Sequence, residues 1–266
     1  MADILLTNDD GYKSIGFYPL LKELSKDFEV VAVAPTQQKS WQGKSISSKK
    51  EIVVEKLKLE DNEVFVMDGT PADCVQIGLY DLVKKRPKFV VSGINIGVNI
   101  GHGRILSSGT AGAGMEAVID GVKAISSSLY IPPEIEKNID FYSPKYYSIY
   151  ENAAEVTAKI VKILFTKKLE EDVDLISINM LNTATIKDNF EITSLDRQPY
   201  GRLFHKKGNS FFHINPIVDL NSSKPGMDMY ALKTNKISIT PISLELTSKS
   251  SKDSLSNILK KEWSVS

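Results

Sequence analysis

Ile4-Leu5-Leu6-Thr7-Asn8-Asp9-Asp10-Gly11 begins as a short apolar run and breaks into polar residues at a Gly-bearing turn. An apolar triplet that stops at two carboxylates reads as a buried strand delivering Asp9 and Asp10 to its carboxyl end. Open parallel sheets bind ligands outside those ends, so this stretch decides both the fold class and where chemistry would sit. Adjacent carboxylates repel each other and raise at least one pKa unless a cation compensates, which makes the pair a natural hard-metal site. Asp-Asp-Gly is also ordinary turn vocabulary, and the ends of the other strands have to decide between the two readings.

Outward from that strand, residues 15–28 carry a helical pattern with Leu20, Leu21 and Leu24 on one face. Val30-Val31-Ala32-Val33-Ala34 then reads as a fully buried strand stopped by Pro35. Residues 52–54 and 64–67 look like strands outside the alternation and are expected to form a side hairpin. Thr70-Pro71-Ala72-Asp73 is a helix start, with Thr70 as cap, Pro71 in the first turn and Asp73 reaching back to free amides; the helix is expected to run to about Lys85. Phe89-Val90-Val91 is another buried strand, followed by a Gly- and Asn-rich loop over 93–103, a small-residue helix over 110–121 and a strand at 124–126. Such repeated βα units predict an α/β fold with a Rossmann-like, mostly parallel sheet flanked by helices.

Beyond Tyr130 a polar, Tyr-rich connector leads to a long amphipathic helix over 145–165 and a strand at 174–179. Short alternating strands follow at 190–193, 211–214 and 236–240, a pattern that suits a β-arm pairing with another subunit. The expected division is a catalytic α/β domain over 1–185 and a β-rich extension with an oligomerisation arm over 186–266. The Ser- and Lys-rich end from Ser248 reads as weakly ordered.

The 266 residues suffice for one large core. Lys and Arg together number 33, as do Asp and Glu, so the formal net charge is zero and duplex nucleic acid is not an expected partner. The single cysteine, Cys74, can form neither an internal disulfide nor a thiolate zinc cluster, and is expected as a small buried hydrophobe. The opening residues lack the basic start and apolar length of a secretory signal, and no apolar run reaches membrane-spanning length of about 20 residues. A cytoplasmic protein without a membrane partner is the expectation.

The other strand ends are rich in oxygen donors. The Ala34-Pro35 end feeds a loop with Lys39 and Ser40, and Val91 runs into Ser92-Gly93-Ile94-Asn95-Ile96-Gly97-Val98-Asn99, which offers two amide side chains. Two carboxylates, a hydroxyl and an amide oxygen suit Mg²⁺ or Mn²⁺ better than zinc. Ser107-Ser108-Gly109-Thr110-Ala111-Gly112 stands ahead of a helix, where free amides and the dipole favour an anion; the same residues also read as a capped helix packed closely through glycine. Gly43-Lys44-Ser45 resembles the end of a P-loop, but Gln38 stands where that motif needs glycine. A dinucleotide fingerprint is excluded by the two acids after the first strand, and an aspartyl nucleophile by the absence of Asp-x-Asp there. His102, His205 and His213 lack metal-ligand spacing; His102 reads as a solvated loop residue or a proton-transfer aid, and the other two as structural.

Taken in order, Thr7-Asn8-Asp9-Asp10-Gly11, the Ala34-Pro35 loop with Ser40, Gly69-Thr70-Pro71-Ala72-Asp73-Cys74, the Ser92 to Asn99 stretch and Ser108-Gly109-Thr110 resemble the stationary-phase survival protein SurE family of nucleotidases. The resemblance returns at Asp228-Met229-Tyr230-Ala231-Leu232 and Ile237-Ser238-Ile239-Thr240-Pro241, so it spans most of the chain. It implies a C-terminal β-hairpin arm exchanged within a homodimer or homotetramer, and release of phosphate from nucleoside 5′- and 3′-monophosphates. By position it makes Asp9, Asp10, Ser40 and Asn95 ligands of one divalent ion (Mg or Mn) per subunit. Asp9, Asp10 and Asn95 are thereby catalytic, and Ser108, Gly109 and Thr110, with Asn99 nearby, bind phosphate. The segment 197–215 departs from the wording of many relatives. The implied mechanism is attack of metal-activated water on phosphorus. The alternatives are a receiver-like Mg-binding module, which would need a phospho-accepting Asp and a Lys at later strand ends that are not evident, and a general phosphatase or exopolyphosphatase.

Overall fold

A computed structural model describes residues 2–197, 199–215, 218–220, 223–248 and 251–263. Its strands are β1 (Ile4–Thr7), β2 (Val30–Pro35), β3 (Val54–Leu59), β4 (Asn62–Met67), β5 (Phe89–Ile96), β6 (Lys123–Tyr130), β7 (Leu175–Leu181), β8 (Phe190–Ile192), β9 (Phe204–Lys207), β10 (Ser210–His213) and β11 (Ile237–Ile242). The helices are α1 (Phe17–Leu24), α2 (Pro71–Ile77), α3 (Gly101–Ser107), α4 (Gly109–Ile119), α5 (Pro133–Glu136), α6 (Ser148–Phe165), α7 (Asp228–Lys233) and α8 (Lys252–Trp263).

Nine strands form one sheet in the order β3-β4-β2-β1-β5-β6-β7-β11-β8. From β4 to β7 every pairing is parallel, while β3 on β4 and β11 on β7 are antiparallel. The chain leaves β1 to one side for β2 and returns on the other side as β5. That reversal opens the crevice in which α/β folds bind ligands.

Alternation along β1 explains the layering. Ile4 and Leu6 face a core that includes Phe17, Leu20 and Leu24 of α1 and Tyr150, Ala153 and Val161 of α6. Leu5 faces the opposite core, with Cys74 and Val75 of α2 and Ala113 and Ala117 of α4. Successive strand side chains point to opposite faces, so three consecutive apolar residues serve two helical layers.

Thr70 forms the expected capping box: its hydroxyl accepts from Asp73 N at 3.1 Å, and the Asp73 carboxylate accepts from Thr70 N at 2.7 Å. The α-helix is shorter than expected, because the chain widens into a π turn over Gly78–Leu82. Gly78 sits there against Leu5, where a Cβ would lie 2.9 Å from the leucine methyls.

Four other expectations are corrected. The hairpin β3–β4 is not a side element, since Val33, Ala34 and Pro35 of β2 pair with Phe65, Val66 and Met67 of β4 and extend the sheet. The segment after Val91 is not all loop: β5 continues to Ile96 through an irregular register between Ser92 and Asn95. Residues 101–107 form α3 and not loop. The chain end is helical over Lys252–Trp263, where Leu255, Ile258 and Leu259 recur at helical spacing. β8 and β11 belong to the main sheet, whereas β9 and β10 form a separate antiparallel hairpin. No helix among the described residues is long and apolar enough to cross a membrane.

Candidate functional site

The turn after β1 is fixed by its own side chains. Asn8 Nδ2 donates to Gly11 O at 2.9 Å, and Gly11 adopts a φ of +90° with its Cα against the Gln37 backbone. A side chain at position 11 would be strained in that conformation and would press on the neighbouring loop. The turn thereby sets Asp9 and Asp10 at the crevice, both buried.

The two carboxylates face different partners. Thr110 Oγ1 donates to Asp9 Oδ1, and the amides of Gly109 and Thr110 at the start of α4 also bond this carboxylate. A Cβ on Gly109 would lie 2.7 Å from Asp9 Cβ, so only glycine lets the helix come this close. Asp10 Oδ2 instead accepts from Ile96 N at 2.8 Å, at the end of β5, and Asp10 Oδ1 accepts from Gln38 Nε2 at 3.3 Å. Burial raises the pKa of Asp9, with the Thr110 hydroxyl and helix amides opposing. Burial and then the charge of Asp9 push Asp10 well above the usual carboxylate range. Among the described residues no cation forms an ion pair with either acid.

Asn95 comes off the irregular end of β5, buried, and its Nδ2 donates to Gly97 O at 2.7 Å. Asn99 is also buried, but its side chain donates to Ser128 Oγ at 3.0 Å and its amide to Asn179 Oδ1 at 2.8 Å, so it is tied to β6 and β7. Ser108 caps α4 by accepting from Ala111 N at 3.0 Å. The capped-helix reading of this helix start holds, and the anionic group that meets it in this structure is the protein's own Asp9. Ser40 is the outlier. It is exposed and its hydroxyl makes no hydrogen bond among the described residues, although Lys39 N beside it donates to Asp9 O at 2.7 Å. Asp9, Asp10, Gly109 and Thr110 therefore form one contact cluster. Asn95 adjoins it through Ile96, Ser40 through Lys39, and Ser108 as the cap of the same helix.

A groove of about 380 Å³ opens beside Asp10, lined by Lys13, Gln37, Gln38 and Tyr142. Burial, followed by the charges of Asp10, Asp140 and Asp9, raises the Tyr142 phenol pKa. Neither Gln38 nor Tyr142 carries a sequence signal for this place. Gln38 sits in the Ser40 loop and is open to inference from it, but Tyr142 is one of several tyrosines in the polar connector and nothing local singles it out.

Glu116 was also invisible in the sequence. Buried on α4, it pairs with Lys44 at 2.5 Å and accepts from Gln76 Nε2 at 2.6 Å. Gly43 N donates to Ser107 O at 2.9 Å, and Gly112 lies so close to Gly43 O that a Cβ would sit 2.5 Å away. The loop bearing Ser40 is thus laced to α3 and α4 at its far end. Cys74 is buried in α2, as expected, and burial pushes its thiol far up. His102 belongs to α3 and not to a loop, and its Nδ1 and main-chain N both face Asp196 O.

Comparison with known proteins agrees with this arrangement. Residues 4–202 match the family described as Survival protein SurE. The chain is 35% identical over 267 residues to the 5′-nucleotidase SurE of Methanoregula boonei, covering 97% of this chain and 98% of that protein. It is 38% identical over 260 residues to the 5′-nucleotidase SurE of Methanocaldococcus jannaschii, covering 93% and 94%. The crystal structure of the SurE protein from Aquifex aeolicus superposes with a TM-score of 0.78 at 30% identity, covering 96% of this chain and 98% of that one. A match that runs from β1 through α4 and on across the sheet carries the acid-bearing turn and the helix start together, and this chain belongs to the SurE family.

Proposed function

We propose that this protein is a divalent-metal-dependent nucleotidase that hydrolyses nucleoside 5′- and 3′-monophosphates to nucleoside and phosphate. The observation that carries the reading is the buried Asp9–Asp10 pair, without a cationic partner among the described residues, at the sheet's reversal point and against the start of α4. Buried carboxylates of like charge, each with a raised pKa, are a poor arrangement for an empty protein and a good one for a hard cation. The residues fit such an ion: Asp9 and Asp10 supply charge, Asn95 a neutral oxygen, and Ser40 a hydroxyl free of other hydrogen bonds.

An ion held by Asp9, Asp10, Ser40 and Asn95, Mg²⁺ or Mn²⁺, would supply a Lewis acid for a phosphoryl oxygen and lower the pKa of water for attack on phosphorus. The chain's own residues do the positioning. Thr110 and the α4 amides favour the charged form of Asp9, and the Ile96 amide does the same for Asp10. Ser108, Gly109 and Thr110, with Asn99 nearby, form the phosphate side. A helix start favours negative charge there, and fixed donors are the main resource of phosphoryl-transfer sites.

The names of the Methanoregula and Methanocaldococcus relatives support a 5′-nucleotide substrate. The 186–266 extension is read as the oligomerisation part of a homodimer or homotetramer, supported by Phe204, Phe211 and Phe212 standing exposed on the β9–β10 hairpin. A cytoplasmic setting is supported by the single buried thiol. The test is phosphate release from a panel of 5′- and 3′-mononucleotides with Mg²⁺, Mn²⁺ or chelator. Release that survives chelation, or no release from any nucleotide with either ion, would sink the reading.

A further inference from the structure

Trp41 follows Ser40 directly and holds a left-handed backbone, φ +63°. A bulky side chain rarely adopts that conformation, and residues held in it concentrate at ligand-binding sites. The indole is 38% exposed. Its Nε1 is committed to Asn215 Oδ1 at 3.2 Å. Its ring packs beside Tyr200, with centroids 5.8 Å apart, and edge-on to His213 at 4.7 Å. Tyr200 is itself anchored: its hydroxyl donates to Gly103 O, and its ring occupies the space a Cβ on Gly103 would fill, at 2.9 Å. Three chain segments therefore converge to hold one partly open indole next to a residue of the proposed metal site.

We infer that Trp41, braced by Tyr200 and His213, is the platform on which the substrate's nucleobase stacks. The inference rests on the proposed nucleotidase reading and adds a base subsite to it. Consecutive Cα atoms lie about 3.8 Å apart, so the backbone that carries the indole directly adjoins the proposed metal ligand Ser40. With its only donor already used, the indole offers π surface, which every base can match and which gives affinity without strong base selectivity. A plain packing role fits less well, because buried packing would not leave more than a third of the residue in solvent on a strained loop.

The test compares a nucleoside 5′-monophosphate with ribose 5-phosphate, which lacks a base, on the full chain. For Trp41→Ala, the ratio of kcat/KM for nucleotide over ribose 5-phosphate is expected to fall about tenfold, mainly through KM, the size of one stacked base. Trp41→Phe should stay within about threefold of the wild-type ratio, since it keeps an aromatic face. An unchanged ratio in Trp41→Ala overturns the inference, as does an equal loss on both substrates. The chain holds two tryptophans, so in a Trp263→Phe background the emission reports Trp41 alone. Saturable quenching by free adenosine is expected there, and no quenching overturns the inference. If neither phosphoester is hydrolysed, the nucleotidase reading fails separately, and this binding measurement still decides the platform.

Discussion

Gly109→Ala should disable the site while leaving the protein folded. The added Cβ would lie 2.7 Å from Asp9 Cβ and 2.9 Å from Asp9 Oδ2. Ordinary carbon contacts are about 3.5–4.0 Å, so roughly 1 Å must be relieved. Asp9 has little room to give: its main-chain oxygen accepts from Lys39 at 2.7 Å, and its carboxylate is held by Thr110. Overpacking of this kind costs about 1–3 kcal/mol, which for a chain of this size lowers Tm by roughly 2–4 °C per kcal/mol. Displacing a reacting group by about 1 Å costs on the order of 100-fold in rate. The control is Gly114→Ala on the same helix, where the new Cβ would meet Leu175 Cδ1 at 2.7 Å, far from either acid, and helix propensity returns about 1 kcal/mol. Phosphate release and thermal denaturation, measured on both variants, separate the effects. Gly109→Ala is expected to lose most turnover, and Gly114→Ala to keep turnover within a few-fold. A folded Gly109→Ala protein with near-wild-type rates would refute the placement of Asp9 at the reacting centre, and so would equal losses in both variants.

Two further outcomes follow from the same geometry. In chelator, stability in urea should fall as pH rises: Asp10 binds its proton more tightly folded than unfolded, so its contribution is complete below the ordinary carboxylate pKa and is lost as pH climbs through the raised folded value. Asp10→Asn should flatten that slope, and a slope of the opposite sign in the wild type would contradict the burial of the pair. Glu116→Gln leaves the Lys44 ammonium without its counter-charge in a partly buried place and should destabilise the protein by about 1–3 kcal/mol, read as a lower urea midpoint at unchanged m-value. A midpoint equal to wild type would show that the loop is not anchored there.

The legible parts of this fold are those whose cause is local. The first strand and its acids, the Thr70–Asp73 capping box and the small-residue helix from Gly109 each rest on neighbours within a few positions. The β3–β4 hairpin was visible as strands, but its place in the sheet depends on Phe65, Val66 and Met67 meeting β2, a pairing no local pattern encodes. By sequence β5 ends at Val91, because Gly93 and Asn95 read as loop residues. Across the sheet Asn95 pairs with Ser128, and a Cβ on Gly93 would lie 2.5 Å from Ser127 O, so glycine there serves close approach between strands. α3 has two glycines in its first turn, at Gly101 and Gly103, which lowers its intrinsic propensity. It forms around tertiary contacts: Asp228 Oδ2 accepts from Gly101 N at 2.6 Å, and the Tyr200 ring covers Gly103. At the site, the acids were readable and their wiring was not, since the Thr110 and Ile96 partners lie on other elements.

That wiring gives a reason for two adjacent acids where one carboxylate and a neutral residue would be easier to bury. Neighbouring side chains diverge, so a contiguous pair can engage both elements that flank the crevice at once. Asp9 is bound to the start of α4, the proposed phosphate side, and Asp10 to the end of β5, one residue from Asn95. An ion shared between them would draw the helix start and the asparagine-bearing strand end toward a single point. Asp-x-Asp would direct its two carboxylates to the same side of an extended chain, which suits a nucleophile with a neighbouring acid better than a bridge between opposite elements. Burial first, and then the charge of Asp9, raise the pKa of Asp10; these same penalties make cation binding favourable, and a substitution that relieves them stabilises the metal-free protein at the expense of the site.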